Sequence, residues 1–277
     1  MGRAWPQQPL KTCRPVTAPG AAMMVKRRLP SANRPPPTQN RNLLLASLPA
    51  DEYRRILPTL SVIPLKLKEI LQEPGGRIDS VLFPGGGFCS VVTVLEDGTM
   101  VEVATIGREG AVGVLGVMDG AVPAPSAAMV QGETATCYRM NAVTYRREMD
   151  RRGPFYELMT RYQYALIGTI MQSTACNAIH KVEQRLARWL LLARDRMESN
   201  DFPLTQEFAA MMLAVARPSV SIVAGTLQKA GLITYRHGRV RILDGTRLEA
   251  ASCECYRVST TLLQGVMGGS QKAQPRA

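Results

Sequence analysis

The stretch from Pro203 to Asp244 constrains this chain more than any other. Pro203-Leu204-Thr205-Gln206-Glu207-Phe208-Ala209-Ala210-Met211-Met212-Leu213 reads as a short helix. Thr205 is placed to cap it, and Glu207 stands where its charge opposes the positive end of the helix dipole. Ala214-Val215-Ala216 then makes a tight turn. A second helix runs from Arg217 to about Ala230, with Pro218 tolerated in a first turn whose amides have no helical partner. Counted from Gln206 as position one, small residues fall at five (Ala210) and nine (Ala214), and apolar residues at fifteen (Val220) and eighteen (Val223). The small pair lets two helices cross closely at a steep angle, and the apolar pair anchors the second on the first. Ala214 stands where glycine is commoner. Gly231 ends the second helix. Ile233 to Arg236, His237-Gly238 and Arg239 to Leu243 then form a basic hairpin, a wing. A plain helical hairpin with a terminal β-ribbon is the alternative reading of the same pattern.

The rest of the chain divides by periodicity. Residues 62–140 carry β-rich runs broken by turn signals: Val81-Leu82-Phe83, Ser90 to Leu95, and Met100 to Ile106. Asp97-Gly98 between two such runs predicts a hairpin, and Pro74-Gly75-Gly76 and Pro84-Gly85-Gly86-Gly87 predict further turns. Short strands at this spacing imply a small antiparallel sandwich or barrel. From about Tyr145 to Cys176 the pattern is helical, with Leu158, Tyr162, Leu166 and Ile170 at four-residue steps. Such a stripe packs in its own core or against a partner helix, and the module that follows favours a dimer seam. Val182 to Met197 forms another helix, ending in the polar Glu198-Ser199-Asn200-Asp201.

Charge separates the parts further. Residues 1–41 hold eight Lys/Arg and no acid; residues 42–160 hold eleven basic and fourteen acidic residues; residues 203–244 hold five basic and two acidic. A mildly acidic body thus joins a basic C-terminal module suited to a phosphate backbone. The Pro- and Arg-rich start cannot bury enough apolar surface to order itself. No export signal precedes the six cysteines and no apolar run is long enough to span a bilayer, so the expectation is a cytoplasmic protein with reduced thiols and no membrane partner. Cys253-x-Cys255 is too closely spaced for an ordinary zinc pair and no histidine lies near it in sequence, so no metal or cofactor is expected. Two histidines and the lack of a nucleophile elbow or phosphate-binding loop argue against an enzyme.

Residues 42–257 resemble the Crp/Fnr family of transcription regulators. The resemblance rests on Leu204-Thr205-Gln206-Glu207, Ser219-Val220, Leu227 to Ile233, Val182 to Leu191 and Cys253-Glu254-Cys255-Tyr256; Glu73-Pro74-Gly75 and Gly107-Arg108-Glu109-Gly110 match less sharply. It implies an α+β chain: a disordered basic tail (1–41), a cyclic-nucleotide-binding-like β-roll sensor (42–145), a dimerisation helix (146–180), a winged helix-turn-helix (181–257) and a flexible tail (258–277). It also implies a homodimer on double-stranded DNA, with RNA polymerase as a partner and a small molecule as a possible effector. A cyclic-nucleotide-binding signalling module that does not touch DNA is the alternative.

By the same resemblance, Arg217 opens the recognition helix and can donate to guanine O6 and N7, while Ser219 and Ser221 reach a base or a phosphate. Thr205 and Gln206 begin the supporting helix, and Arg236, His237 and Arg239 on the wing hold phosphates. Pro218 and Ile222 stand where relatives reading the best-known operator carry Glu and Arg, which implies a different target. The effector pocket maps to Gly107, Arg108, Glu109, Gly110 and Ser126. Glu109-Gly110 is reversed relative to the family's Gly-Glu, and Pro125-Ser126-Ala127 replaces its Arg-Ser/Thr-Ala, so the phosphate-binding cation is missing. The expected effector is therefore something other than cAMP, or none. The family's iron–sulfur members need several N-terminal cysteines, and Cys13 stands alone there.

Overall fold

The computed structural model describes residues 41–117 and 123–268. The expected disordered tail, apart from Arg41, and Cys13 with it, lies outside the described residues. Asn42 caps α1 (Leu43–Ala46) by accepting from the Leu45 N–H, and its amide donates to the carbonyls of Pro84 and Gly110 at 2.9 Å each. This fully buried residue pins the entering chain to the roll. Helix α2 (Ala50–Ile56) leads into seven antiparallel strands in two sheets. One sheet orders β1 (Leu60–Leu65), β7 (Thr134–Asn141) and β3 (Ser80–Pro84); the other orders β2 (Ile70–Gln72), β6 (Ala127–Gly132), β4 (Phe88–Val94) and β5 (Met100–Ile106). The hairpin read from Asp97-Gly98 joins β4 to β5. Gly98 takes φ +84°, open to glycine at no steric cost, and the Asp97 carboxylate accepts from the Thr99 N–H at 2.8 Å.

The helical stretch is two helices, not one. Helix α3 (Ala142–Asp150) stops where Arg152 turns left-handed at φ +55°, and Pro154 opens α4 (Pro154–Ile179). The residue before a proline is pushed out of helical geometry, which puts the break at Gly153. Leu158, Tyr162 and Leu166 are buried in the roll's own core, with Ile170 packed at its edge. Tyr162 donates to the Ala111 carbonyl at 3.0 Å. The four-step stripe is therefore the inner face of α4 and cannot also be a dimer seam. The outer face exposes Tyr164, Ile167, Met171 and Ile179.

Helix α5 (Val182–Met197) is followed by β8 (Asp201–Pro203), α6 (Gln206–Leu213), α7 (Arg217–Lys229), β9 (Ile233–Arg236), β10 (Arg239–Ile242), α8 (Gly245–Ala251) and α9 (Cys255–Gly268). The expected flexible tail over 258–277 is corrected as far as Gly268. Helix α9 packs along α4 and buries Leu263 and Val266 in the roll's core. That apolar contact outweighs the poor helix propensity of its Ser, Thr and Gly residues.

A second core fills the C-terminal module and also takes in Ile70, Phe88, Val92, Ala127 and Met129 of the four-stranded sheet. Trp189 on α5 sits edge-on between Phe88, at 6.0 Å, and Phe208, at 6.3 Å. The module is thus docked on the roll through aromatic contact. Glu102 of β5 is buried beneath this contact and accepts a hydrogen bond from Ser90. Burial pushes its carboxyl from the usual 4.5 up to about 7, partly opposed by Ser90 and by Arg188. Between those two values the folded chain keeps a proton that the unfolded chain has released, so this group's effect on stability turns unfavourable as pH rises through the window. Denaturant unfolding should therefore show Glu102→Gln gaining stability relative to wild type between pH 4.5 and about 7, and holding the gain above it. A difference between the two proteins that does not change with pH would refute the assignment.

Candidate nucleic-acid interface

The Thr205 hydroxyl accepts from the Phe208 N–H at 3.2 Å and caps α6. Ala214 ends that helix at φ +49°, the left-handed position that explains why glycine is commoner there. Helix α7 follows, with Val220, Ala224 and Leu227 buried against the module's core. The opposite side is bare: Pro218, Ser221, Ile222 and Lys229 are exposed, Ile222 at 71%, and a Cβ on Gly225 would meet nothing within 4 Å.

The sequence-predicted DNA residues distribute unevenly around this face. Arg217 is exposed and pairs with Glu207 at 2.8 Å. Ser221 donates to the Gln206 side chain at 2.6 Å. Three of the expected residues, Gln206, Arg217 and Ser221, thus meet at one edge where α6 and α7 approach. Ser219 does not join them. A helix turns about 100° per residue, so two positions put Ser219 about 160° around from Ser221. It is half-buried on the far flank, so the two serines do not share one reading face.

The wing forms as expected, with β9 and β10 paired and His237 and Gly238 both left-handed, at φ +51° and +70°. A two-residue loop of that kind matches the twist of the strands it joins. Arg236 and His237 are exposed at the tip. Arg239 behaves differently. Strand β8 pairs with β10 and brings Asp201 beside it, where the carboxylate takes Arg239 and Arg241, each at 2.7 Å. Those two guanidiniums, Arg241 first, hold the Asp201 carboxyl below its ordinary value. Asp201 was legible in the sequence only as the polar end of a helix. No local signal marks it, because the hairpin it pairs with begins only at Ile233.

The predicted effector residues do not assemble into one pocket. A narrow, mostly apolar pocket lies between the roll and α4, walled by Val91, Val114, Pro125, Ser126, Leu166 and Ile170 among others, with Gln72 beside Ser126. Among the described residues, none that lines it is charged. Of the five expected residues only Ser126 reaches it. Gly107 to Gly110 form a turn and not a helix start. Glu109 accepts from Arg196 of α5 at 2.9 Å and from the Gly107 N–H at 3.1 Å, and Arg108 pairs with Glu198 at 2.6 Å. Gly110 leaves room for the Tyr162 hydroxyl, which a Cβ there would strike. These residues bridge the roll to the end of α5, drawn away from the pocket by charges on that helix. One further expectation is overturned. Although no histidine lies near Cys253 and Cys255 in sequence, the fold brings His180 to 3.4 Å from the Cys255 sulfur.

The sequence profile of the Crp-like helix-turn-helix domain matches residues 184–251, the span containing α6, α7 and the wing. The C-terminal module is a Crp-like helix-turn-helix. Solved structures extend the likeness to the whole fold. The c-di-GMP responsive global regulator CLP of Xanthomonas campestris superposes with a TM-score of 0.59 at 14% identity, covering 71% of this chain and 100% of its own. A CRP-family transcriptional regulator from Thermus thermophilus gives 0.57 at 21%, covering 68% and 95%. A CRP/FNR-family regulator from the same organism gives 0.56 at 16%, covering 69% and 98%. No curated protein matches the sequence. Roll, long helix and Crp-like module in this order make the fold of the Crp/Fnr-type structures. No single helix among the described residues is long and apolar enough to cross a membrane.

The Asp201 clamp restrains two wing cations. Asp201→Asn should release them, raise nonspecific affinity for duplex DNA and steepen the dependence of log K on log salt by about one to two. Titrations at several salt concentrations read both effects. Unchanged affinity and slope in a folded variant would show that the carboxylate does not hold the wing back.

Proposed function

We propose that the chain is a homodimeric, sequence-specific regulator of transcription that reads double-stranded DNA with α7, under an effector other than cAMP or none. The observation that carries this reading is the bare outer face of α7 beside a basic wing. A helix of that shape fits the major groove, and a ribbon at its side meets the backbone. Arg217 exchanges Glu207 for guanine O6 and N7, Gln206 and Ser221 reach the adjoining base or phosphate, and Ile222 offers a thymine methyl its apolar contact. Thr205, Ser219, Arg236, His237 and Arg239 serve the backbone, which positions without specifying. The resemblance adds RNA polymerase as the partner at promoters and the cytoplasm as the place of action.

The effector reading rests on the pocket between the roll and α4, whose lining among the described residues carries no charge. A cyclic nucleotide there would lose water from its phosphate with no cation to replace it, a cost that only pairing offsets. Ser126 and Gln72 suit a small neutral or apolar molecule instead. The dimer reading rests on the outer face of α4. Tyr164, Ile167, Met171, Ala175 and Ala178 form an exposed stripe of apolar and small residues along a 26-residue helix, the form of a two-fold helix seam.

Two measurements test this. Arg217→Ala should lose about 1–3 kcal/mol on a selected operator and relax preference at one base pair, whereas Arg236→Ala should weaken all sequences alike and lower the salt slope by about one. Uniform loss from Arg217→Ala would make that residue a phosphate clamp. Ile167→Glu combined with Met171→Glu should sediment as a monomer and lose specific binding. A wild-type protein already monomeric at micromolar concentration would rule out the dimer.

A further inference from the structure

Four side chains from two distant parts of the sequence converge where α4 ends and α9 begins. Cys176 lies in the last turn of α4 and His180 caps it; Cys253 and Cys255 flank the start of α9. The three sulfurs and one imidazole nitrogen all lie within 4.8 Å of one another. The Cys176 and Cys253 sulfurs are 3.5 Å apart, and the Cys255 sulfur is 3.4 Å from His180 Nδ1. A tetrahedral zinc with Zn–S of about 2.3 Å and Zn–N of about 2.0–2.1 Å sets neighbouring ligand atoms roughly 3.6–3.8 Å apart. These two separations are within a few tenths of an ångström of that figure, and every other pair lies within 4.8 Å, close enough for one ion to draw the set together. A disulfide, by contrast, needs the two sulfurs at about 2.05 Å.

We propose that Cys176, His180, Cys253 and Cys255 bind one structural zinc ion that fastens the end of the long helix to the start of α9.

The surroundings fit that chemistry. All three sulfurs are buried, as in a closed structural site with four protein ligands and no open position. His180 turns Nδ1 toward the sulfurs and Nε2 toward the Glu254 carboxylate, at 3.4 Å. A carboxylate behind a ligating histidine fixes its ring and tautomer. Gln172 donates to the Cys255 sulfur at 3.0 Å, a bond that favours the thiolate. As zinc binds, the three thiols release their protons to solvent, and the site carries one net negative charge. Arg185 and Arg188 of α5, buried at 6% and 5% exposure, lie within electrostatic reach of Cys176, and the Nε of each has no hydrogen-bond partner among the described residues. Two buried guanidiniums beside a neutral thiol cluster are costly, whereas beside a zinc thiolate site they are partly compensated. The ion would cross-link positions 77 residues apart, holding the roll's long helix and the winged module to a common anchor.

The test uses the full-length protein purified under reducing conditions without added metal. Mass spectrometry of the metal content should find about one zinc per chain, and X-ray absorption should show three sulfurs at about 2.3 Å and one nitrogen at about 2.0–2.1 Å. Cobalt exchanged into the site should give the absorption bands of tetrahedral thiolate coordination. Cys253→Ser and His180→Ala should lose the zinc, while His180→Cys, which keeps four ligands, should retain it. Chelation should lower the melting temperature of wild type but not of His180→Ala. If a cysteine variant fails to fold, the wild-type stoichiometry and the His180 pair still decide. A reduced wild-type protein that holds no metal and takes up neither zinc nor cobalt would overturn the proposal. So would iron with a visible chromophore, or a Cys176–Cys253 disulfide in protein freshly isolated from cells.

Discussion

Helix α5 is the element on which the other parts depend, and the seat of Trp189 between Phe88 and Phe208 is its central contact. Ten residues of this helix are buried, three of them arginines, so nearly its whole circumference is enclosed. One side meets the four-stranded sheet, another carries α6, α7 and α8, and a third touches α9. An aromatic side chain shared by two modules gives each a large apolar burial that neither could complete alone. The helix-turn-helix is therefore not tethered loosely to the roll. It is built onto it.

The buried arginines of α5 show how polar groups are used at such a junction. Arg196 reaches the Glu109 carboxylate, the Thr105 carbonyl at 3.2 Å and the Leu192 carbonyl at 3.1 Å. A buried guanidinium is tolerated only when its donors are matched, and here the matching groups come from the end of β5, the turn that follows it and the backbone of α5 itself. The turn that resembles a phosphate-binding segment thus serves as a joint between modules. That leaves the pocket between the roll and α4 without these charges, and it ties the position of α5 to that turn. A molecule entering the pocket beside Leu166 and Ile170 would press on α4 directly, and on α5 through the adjoining turn.

Much of the fold could be read locally. The helix-turn-helix declares itself through small residues at Ala210 and Ala214, apolar anchors at Val220 and Val223, and the charged ribbon after Gly231. The β4–β5 hairpin declares itself through Asp97-Gly98. These are short-range rules, in which a turn type or a helix crossing selects its residues over a few positions. The candidate site was legible in the same measure. Arg217 and Ser221 are where the pattern puts them, because helical spacing fixes which side of α7 they occupy, and Gln206 meets them from the start of α6. The pairing of Arg239, expected to hold a phosphate, with Asp201 is not legible locally, because that partner arrives by strand pairing across 38 positions.

The sequence by itself determined the order of modules, the helix-turn-helix and its wing. It could not decide which side of α4 faces inward, since Leu158, Tyr162 and Leu166 on one face and Tyr164, Ile167 and Met171 on another are both apolar. Only the roll packing against the first settled that. Nor could it decide that the Ser- and Gly-containing segment after Cys255 is a helix, because the apolar contacts that stabilise it come from α4 and the roll. The same reason governs Cys176, His180, Cys253 and Cys255. Periodicity and spacing report on neighbours along the chain, whereas a cluster with four side chains in contact depends on where distant segments are brought by the burial of everything between them.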